Sequence, residues 1–499
     1  MIPNQIVILG GGTAGWMCAT LMANRWNKRG VNITLVESSK IGTIGVGEGS
    51  TPFLRQFFST LGISEKDWMP ECDATYKCGI AFPNWTGKNT PQSYFHPFYS
   101  EVDSPIVNDF FASCQQRRQG FDSPCLPDDY FVTAYLAATN KSPYTASNQT
   151  LGVDYGYHFD AEKLGQFLAK HAKKLGVKHI QDQVCTIQQC EAGIESLQTE
   201  KHGILHADLF VDCSGLKGVL IQQTLGEELL DYQNYLPNNR AVAIATNHNP
   251  NTPTGSYTLS KALENGWVWA IPLQSRIGNG YVYSSHYLSE QQAEQRLREE
   301  LDEEQAAALH LRWTPGRINQ HWKGNCLAIG LSQGFLEPLE APMLNQTQQS
   351  CEAFIEYCEK DGDMQQKQAQ FNQTINRLID GTRDYLQAHY ALNSRSDSQY
   401  WLDNRNNDHR SEALNTILNG WINTGSFESA LAQHSDQLVY AKTSWYCILA
   451  GMGCFQPASK SSLRLTQKKH GRAQQHCQQL AAGFVDQSNF LAQQQSAVK

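Results

Sequence analysis

A glycine-rich turn near the start of the chain constrains the fold more than any other stretch. The apolar residues 6–9 lead directly into glycines with G-x-G-x-x-G spacing, at Gly10, Gly12 and Gly15. In such a turn the first glycine permits the tight bend, the second lets a pyrophosphate approach the backbone, and the third lets helix and strand pack closely. Free N–H groups at the helix start then face the phosphates. Glycine-rich turns also occur in other α/β proteins, so the flanking sequence must decide.

The flanking sequence favours a dinucleotide site. Residues 14–29 have helical periodicity, and Gly30 is a suitable stop. A second strand, residues 31–37, ends at Glu37, 22 residues after Gly15. A carboxylate at that position accepts hydrogen bonds from an adenosine ribose. We therefore predict a Rossmann-type unit in which Thr13 and Ala14, at the start of the helix, also contact the cofactor.

Composition narrows the class of protein. The chain has 499 residues, 40% of them hydrophobic, which is enough for a substantial core and two closely joined domains. The net charge of −8 and the lack of a basic run argue against nucleic acid as a partner. No apolar run reaches about 18 residues and no signal peptide precedes the first strand, so we expect a cytoplasmic protein. The 14 cysteines lack C-x-x-C pairs, which predicts reduced thiols and no metal site.

Three further stretches are predicted to contact the cofactor. The loop 38–52, rich in glycine, directly follows the second strand, although a plain connector would also have this composition. The apolar strand 207–213 ends in Asp-x-Ser-Gly, a pattern common where a flavoprotein closes its nucleotide sheet. Another strand ends at residue 330 and leads into a loop. The candidate contacts in these stretches are Gly47, Glu48, Ser50, Gly215, Gly330 and Leu331.

The segment around Lys77 differs from an ordinary surface stretch. A lone lysine is usually a solvated surface charge, but Lys77 has mainly small and apolar neighbours, including Cys78, Gly79 and Ile80. A partly buried lysine needs a partner or a task. Farther along, Asp160 is predicted to cap a helix that begins at residue 161.

The second half of the chain changes from strands to helices. Residues 240–287 read as strands, with a hairpin turn predicted at 278–280 and with Trp267 and Trp269 on one face of their strand. Two core aromatics would satisfy that pattern as well. Residues 345–440 read as mainly helical, and the last thirty residues, rich in Gln and Lys, predict a solvated helix or tail. We expect a cofactor domain at 1–344, with inserted substrate-side segments at about 72–160 and 240–290, and a helical cap at 345–499.

Several motifs together resemble the flavin-dependent tryptophan halogenase family. The match covers most of the chain, and its most specific part is the combination of W-x-W-x-I-P with an apolar E-P-L-E loop. The residues that carry the resemblance are Gly10–Gly15, Gly45–Glu48, Lys77, Tyr157–Ala161, Trp267–Pro272, Gly334–Glu340, His389–Tyr390 and Tyr400–Trp401.

The resemblance implies a fold and a reaction. The fold is α/β, with an aromatic-hydroxylase-like FAD domain, an added β-sheet and a largely helical C-terminal substrate domain. A separate flavin reductase supplies FADH2, and oxygen and halide yield hypohalous acid, which reaches a small aromatic substrate through a tunnel. Trp267, Trp269, Ile271 and Pro272 would lie along that tunnel, and the two tryptophans would obstruct direct hydroxylation by the flavin.

The resemblance also implies roles for individual residues. Lys77 would hold or carry the electrophile, and Glu340 would stabilise the ring cation and accept its proton. His96 and Phe98 would sandwich the ring, although each would be a core residue on its own. Trp445 and Tyr446 would complete the pocket.

The expected halide site departs from the family pattern. After Glu340 the family has small residues whose N–H groups bind halide, whereas this chain has Ala341, Pro342 and Met343. Pro342 has no N–H, so one donor is missing. Halide would then bind differently at Pro342 and Met343, be a larger ion such as bromide, or not bind productively.

Three functions remain open at this point. They are a two-component halogenase, a flavin monooxygenase that hydroxylates an aromatic substrate, and a flavin-binding protein without catalysis. Residues 446–453 contain no carboxylate for the amino group of free tryptophan, so an indole, a peptide, a phenol or a pyrrole is also a candidate substrate. The chain has one nucleotide fingerprint, which predicts that NADH alone will not reduce its flavin. The sequence does not specify the oligomeric state, and a homodimer is one open arrangement.

Overall fold

Two sheets and a large set of helices share one continuous apolar core. The computed structural model describes residues 2–40, 42, 45–87, 93–249, 251–423 and 425–496. The strands are β1 (Gln5–Leu9), β2 (Asn32–Glu37), β3 (Glu48–Gly49), β4 (Thr75–Lys77), β5 (Gly79–Pro83), β6 (Ser93–Pro97), β7 (Lys141–Thr145), β8 (Gly156–Phe159), β9 (Lys178–Gln181), β10 (Val184–Cys190), β11 (Gly193–Thr199), β12 (Ile204–Leu205), β13 (Leu209–Asp212), β14 (Leu230–Asp231), β15 (Arg240–Thr246), β16 (Thr258–Leu263), β17 (Gly266–Pro272), β18 (Ile277–Tyr283), β19 (Ala308–Arg312), β20 (Gly316–Arg317), β21 (Trp322–Lys323), β22 (Cys326–Ala328), β23 (Gly334–Phe335) and β24 (Phe484–Asp486).

The α-helices are concentrated in the second half of the chain. They are α1 (Thr13–Trp26), α2 (Phe53–Leu61), α3 (Glu65–Trp68), α4 (Val107–Arg118), α5 (Val132–Ala138), α6 (Ala161–Lys174), α7 (Glu290–Leu301), α8 (Met343–Glu359), α9 (Met364–Ala391), α10 (Gln399–Asn406), α11 (Glu412–Ile422), α12 (Phe427–Gln433), α13 (Lys442–Gly451), α14 (Arg464–Ala482) and α15 (Gln487–Ser496). The mainly helical character predicted for residues 345–440 is confirmed.

The first sheet has the predicted Rossmann-type arrangement. Its order is β21-β22-β13-β1-β2-β9, and β22, β13, β1, β2 and β9 run parallel. The centre of β1 is buried, as expected for a parallel strand that is covered on both faces. Helix α1 ends at Trp26, a 3₁₀ turn follows, and Gly30 stops it with a φ of 78°. Gly15 is required because a Cβ there would lie 2.0 Å from the carbonyl oxygen of Gly10.

The second sheet carries the W-x-W-x-I-P segment. Its order is β19-β15-β18-β17-β16-β5-β6, and only the β16–β5 pair is parallel. The hairpin turn predicted at residues 278–280 is wrong. These residues lie inside β18, and the chain reverses instead at residues 273–276. Both glycines allow close packing. A Cβ on Gly280 would lie 2.0 Å from the Trp269 ring, and a Cβ on Gly278 would lie 1.9 Å from the Val46 carbonyl oxygen.

The C-terminal segment is also different from the prediction of a solvated helix or tail. Strand β24 pairs with β7, and the Phe484, Phe490 and Leu491 side chains are buried. Gln487 is fully buried at the start of α15, where its side-chain oxygen accepts the backbone N–H of Tyr76 at 3.2 Å. The polar composition of this segment did not indicate that it would be buried. Gln487 can be buried because its side-chain amide is hydrogen-bonded.

Two further observations concern the described parts of the chain. None of their helices is both long and apolar enough to cross a membrane. Nor do they contain three or more His, Cys, Asp or Glu side chains grouped closely enough to hold a metal ion. The 14 cysteines are free thiols.

Candidate functional site

A cleft of about 1190 Å³ runs between the second sheet and the helices. One end is lined by His96 and Phe98 of the β6 segment, by Glu340, and by Tyr440 and Ser444. The other end is lined by residues of α2 and α3 and by a group of tyrosines. The cleft therefore brings together Glu340, His96 and Phe98, three of the residues predicted from the sequence.

Lys77 is a buried cation without a hydrogen-bond partner. Its side chain is fully buried at the end of β4, and within the described residues Nζ has no hydrogen-bond partner. Nζ lies 5.6 Å from the centre of the Phe98 ring. Burial lowers the pKa of Lys77 to about 8, and the nearby Glu340 carboxylate opposes that shift. A substantial fraction of the amine is therefore neutral slightly above neutral pH.

Glu340 is a buried carboxylate that lies beside two histidines. It follows the buried Leu339 in the loop before α8 and has a φ of 66°, and Ala341 has a φ of 52°. Such left-handed conformations are strained for residues other than glycine. The carboxylate accepts a hydrogen bond from His389 Nε2 at 3.0 Å, and His96 Nδ1 lies 3.8 Å away. Burial alone would raise the pKa of Glu340, but His96, His389 and Lys77 together lower it to about 2.

His389 is held by two hydrogen bonds. Nδ1 lies 3.0 Å from the Tyr385 carbonyl oxygen, which can only accept, so Nδ1 carries a proton. Nε2 lies 3.0 Å from Glu340 Oε1. His389 and Glu340 thus form a buried hydrogen-bonded pair at the cleft.

His96 is oriented by α9. Its Nε2 hydrogen-bonds with the Tyr385 hydroxyl at 2.8 Å, and its Nδ1 has no partner among the described residues. Burial lowers the pKa of His96, although Glu340 opposes this. His96 is therefore harder to protonate than a free histidine, and its Nδ1 lies 3.8 Å from the Glu340 carboxylate.

Trp445 and Tyr446 are not part of the cleft wall. Helix α13 directs Ser444 toward the cleft, whereas the buried Trp445 packs edge-on against Tyr385, with ring centres 5.0 Å apart. Tyr446 packs on Phe111 at 4.5 Å, in a separate aromatic cluster. The two side chains therefore lie outside the residues that line the cleft, and their contact with the substrate stays a prediction.

The predicted tunnel residues lie on β17. Trp267 and Trp269 are buried, with ring centres 6.2 Å apart, on the same side of the strand as predicted. The Ile271 side chain contacts the Gly47 region of the glycine loop, and the Pro272 carbonyl oxygen accepts a hydrogen bond from Thr75 at 2.6 Å. The strand therefore links the glycine loop to the Lys77 segment.

A second buried carboxylate, Glu337, precedes Glu340 in the same loop. Burial raises the pKa of Glu337 to about 7, although hydrogen bonds from Tyr390 at 2.5 Å and Asn238 at 3.1 Å oppose this. The Tyr400 hydroxyl donates in turn to Asn238 at 3.0 Å. This network attaches the E-P-L-E loop to α9 and α10.

The predicted halide segment lies at the start of α8. Pro342 is the N-cap residue and Met343 the first helical residue. The backbone N–H of Ala341 donates to the Pro338 carbonyl oxygen at 3.0 Å. Among the predicted halide donors, Met343 keeps its backbone N–H. Pro342 has no N–H, and the N–H of Ala341 is already hydrogen-bonded.

The glycine turn has the shape of a dinucleotide cradle. Gly10 has a φ of 117°, and a Cβ on Gly12 would meet nothing within 4 Å, so the backbone there is open to a ligand. The start of α1 has no side-chain cap and no acidic residue, so its N–H groups remain available to phosphates. The Glu37 side chain reaches over Gly11 and hydrogen-bonds His179 at 2.6 Å. These features fit the FAD that the sequence predicts.

Other predicted cofactor residues surround this cradle to different degrees. Gly215, with a φ of 74°, is open, and a Cβ on Gly330 would lie 2.6 Å from Ala14. Leu331 follows Gly330 in a 3₁₀ turn, and Thr13 donates its hydroxyl proton to the Ala161 carbonyl oxygen at 3.1 Å. Ser50 hydrogen-bonds the backbone of Tyr157, so its hydroxyl has a structural use. Residues 41, 43 and 44 of the glycine loop lie outside the described residues.

Comparison with known proteins decides the family. The chain matches the tryptophan halogenase family model over residues 5–468. The chain belongs to the tryptophan halogenase family. It is 37% identical over 432 residues to the tryptophan 6-halogenase SttH of Streptomyces toxytricini, a match that covers 81% of each chain. It is 33% identical to the tryptophan 7-halogenase RebH of Lentzea aerocolonigenes, over 92% of this chain and 91% of RebH.

Solved structures agree with this halogenase assignment. The structure of SttH matches with a TM-score of 0.86 at 32% identity, over 98% of this chain and 99% of SttH. BrvH, a flavin-dependent halogenase from Brevundimonas sp. BAL3, matches with a TM-score of 0.85 at 29% identity over 99% of both chains. The halogenase fold therefore extends over the chain, and membership of this family implies a flavin cofactor.

Two neighbours of the predicted site residues are not apparent from the sequence of this halogenase. His389, which belongs to a recognised motif, hydrogen-bonds Glu340 at 3.0 Å, and Thr258 lies near the same Gly49 backbone as Lys77. His389 lies one helical turn after Tyr385 in α9, a spacing that places both on one face. Its contact with Glu340 spans 49 residues and has no local signal.

Proposed function

We propose that this chain is a two-component, FADH2-dependent halogenase that uses O2 and chloride or bromide to halogenate an electron-rich aromatic ring, through hypohalous acid held by Lys77. The observation that carries the proposal is the buried Nζ of Lys77, which has no hydrogen-bond partner in the described part of the chain and lies near the Glu340 carboxylate. An amine of this kind can donate a hydrogen bond to hypohalous acid or be halogenated by it.

The side chains divide the work at the cleft. Lys77 positions the electrophile close to Phe98. Glu340, kept ionised by His389, stabilises positive charge on the attacked ring and accepts the proton that leaves the ring carbon. His96 and Phe98 offer ring faces to the substrate.

FAD would be held by the turn at Gly10–Gly15, by Glu37 and by the loop at Gly47. When bound and reduced, it supplies the electrons with which O2 oxidises halide to hypohalous acid. Met343 would hold halide through its remaining N–H. A separate flavin reductase is the partner that the single dinucleotide cradle calls for.

The charges of the cleft favour a neutral indole over free tryptophan. Glu65 accepts hydrogen bonds from the hydroxyls of four tyrosines, Tyr76, Tyr144, Tyr155 and Tyr157, at 2.6–3.0 Å. Asp154 pairs with Arg55 at 2.5 Å, and Glu340 with His389. Since these cleft carboxylates are already paired, a substrate ammonium group would have to compete for each of them.

The direct test is a coupled halogenation assay. Purified chain, FAD, a flavin reductase, NADH and either bromide or chloride are incubated with indole and with tryptophan, and the products are analysed by mass spectrometry. We expect a halogen isotope pattern that is lost in Lys77→Ala and retained in Lys28→Ala, in which a surface lysine is removed. Absence of halogenated product across a broad aromatic panel, with flavin bound, would contradict the proposal.

Hydroxylation is the second candidate. The loss of halide donors at Ala341 and Pro342 favours it, and the buried Trp267 and Trp269 argue against it. The same assay separates the two, because a hydroxylase adds one oxygen without halogen. Omitting the reductase tests the partner, and we expect NADH alone to leave the flavin oxidised.

A further inference from the structure

A chain of hydrogen bonds runs from the tunnel strand to the surroundings of Lys77. It links the Pro272 carbonyl oxygen to Thr75 at 2.6 Å, Thr75 to His158 Nδ1 at 3.1 Å, and His158 Nε2 to Thr258 at 2.9 Å. These three side chains are buried, and the Tyr-His-Phe-Asp-Ala segment that contains His158 has so far had no chemical role.

The direction of each hydrogen bond in this series follows from the groups that it joins. A carbonyl oxygen only accepts, so Thr75 spends its one hydroxyl proton on Pro272. Thr75 must then accept from His158, which places a proton on Nδ1. Burial and the nearby Lys77 hold the pKa of His158 well below its usual value, so the ring is neutral and Nε2 is an acceptor. Thr258 therefore donates its own proton to Nε2.

Thr258 consequently presents only lone pairs to its surroundings. It also lies close to Lys77, because a Cβ on Gly49 would be 3.2 Å from Lys77 Nζ and 3.5 Å from Thr258 Oγ1. Lys77 has no hydrogen-bond partner among the described residues, so the two groups do not bond each other directly. A donor and an acceptor therefore lie near the same point beside Gly49, and the Ala341 side chain is 3.8 Å from that point.

We propose that Thr258 is a second ligand for hypohalous acid beside Lys77, and that Thr75 and His158 are positioning residues that fix its hydroxyl as an acceptor. Hypohalous acid accepts from the Lys77 ammonium group through its oxygen and donates its O–H to Thr258. Halide has no proton to donate, so the acceptor oxygen of Thr258 favours hypohalous acid over the halide ion. The inference rests on the proposed function and adds a residue to the site where the electrophile waits.

The orientation can be tested without turnover. In the full-length, FAD-loaded chain with ¹⁵N-labelled histidine, the His158 signals are identified by their loss in His158→Gln. We expect a neutral ring with the proton on Nδ1 throughout pH 6–9. A proton on Nε2 of His158, or titration of the ring within this pH range, would overturn the proposed direction of these hydrogen bonds.

The ligand role is tested by the fate of the electrophile. In the coupled assay with bromide, halogenated indole and hypobromous acid captured by an added diketone are measured together. Loss of one hydrogen bond in Thr258→Val predicts a rise of about 2- to 10-fold in the ratio of escaped acid to product. Thr258→Ser, which keeps the hydroxyl, should stay within about twofold of the unaltered chain, as should Lys28→Ala.

The outcomes separate this inference from the proposed function. An unaltered ratio in a folded Thr258→Val variant would overturn the role of Thr258 and leave the halogenase proposal standing. Absence of both product and captured acid from the unaltered chain would overturn the proposed function, and with it the proposed ligand.

Discussion

The Glu340 carboxylate and the His389 ring form a buried hydrogen bond, with Oε1 and Nε2 3.0 Å apart. The pair connects a strained loop to the long helix α9. It keeps ionised a carboxylate whose surroundings would otherwise favour its neutral form.

His389→Gln should therefore make the reaction sensitive to acid. Without the hydrogen bond from His389, burial raises the pKa of Glu340 from about 2, and the carboxylate is lost as the pH falls through the new value. We expect the single-turnover halogenation rate of this variant to fall at least about threefold more between pH 8 and pH 6 than that of the unaltered chain. His171→Gln, on α6, is the control, and parallel pH profiles for His389→Gln and the unaltered chain would contradict the prediction.

Lys77→Met should abolish halogenation and raise the free energy of unfolding. The pKa of Lys77 is lowered to about 8, so burial of its cation costs stability at neutral pH, and removal of the cation should raise the free energy of unfolding at pH 7 by about 1–3 kcal/mol. Between pH 8 and 10.5 the unfolded chain binds more protons than the folded one, so the unaltered chain gains stability as the pH rises. Urea denaturation at pH 7 and pH 10 should show the advantage of the variant shrinking. Lys28→Met should be neutral at both, and a constant advantage would refute the assignment.

Two glycine-to-alanine changes should have opposite effects. In Gly280→Ala the new Cβ overlaps the Trp269 ring, which should cost about 2–4 kcal/mol of stability and displace the tryptophan. Gly471→Ala, in open space on α14, should add about 0.5–1 kcal/mol because alanine favours a helix. Thermal unfolding measures both. A stable Gly280→Ala variant with unchanged tryptophan fluorescence would show that the contact is not needed.

Gln487→Ala should destabilise β4, the strand that ends in Lys77. The change removes the acceptor of the Tyr76 N–H and the donor to the Gly255 carbonyl oxygen at 2.7 Å. Leaving such buried groups unpaired should lower the free energy of unfolding by about 1–3 kcal/mol. Gln479→Ala, on the exposed side of α14, should be neutral. Faster amide hydrogen exchange at Tyr76 in the first variant alone would confirm the cause.

Local sequence signals predicted the parts of the site that local structure determines. The glycine spacing, the apolar strand before it and the acid after the second strand specify the cradle without any long-range contact. The burial of Lys77 was readable from its small and apolar neighbours.

Long-range packing determined what the sequence did not show. Gly278 and Gly280 form a good turn signal, but Val46 and Trp269 press on them and keep them in a strand. The contact of the Trp445 ring with Tyr385, outside the residues that line the cleft, depends on the packing of α13 against α9. The pairing of His389 with Glu340 and the hydroxyl direction of Thr258 depend on contacts between distant segments.

The anchor at Gln487 has a consequence for biosynthesis. Its partner Tyr76 lies 411 residues earlier in the chain. At a synthesis rate of about 5–20 residues per second, the ribosome needs roughly 20–80 seconds between the two residues. The Tyr76 N–H must therefore stay solvated or shielded by other segments until residue 487 has emerged, although β4 can pair with β8 much earlier. One hydrogen bond of the strand that carries Lys77 thus forms long after the strand itself has been synthesised.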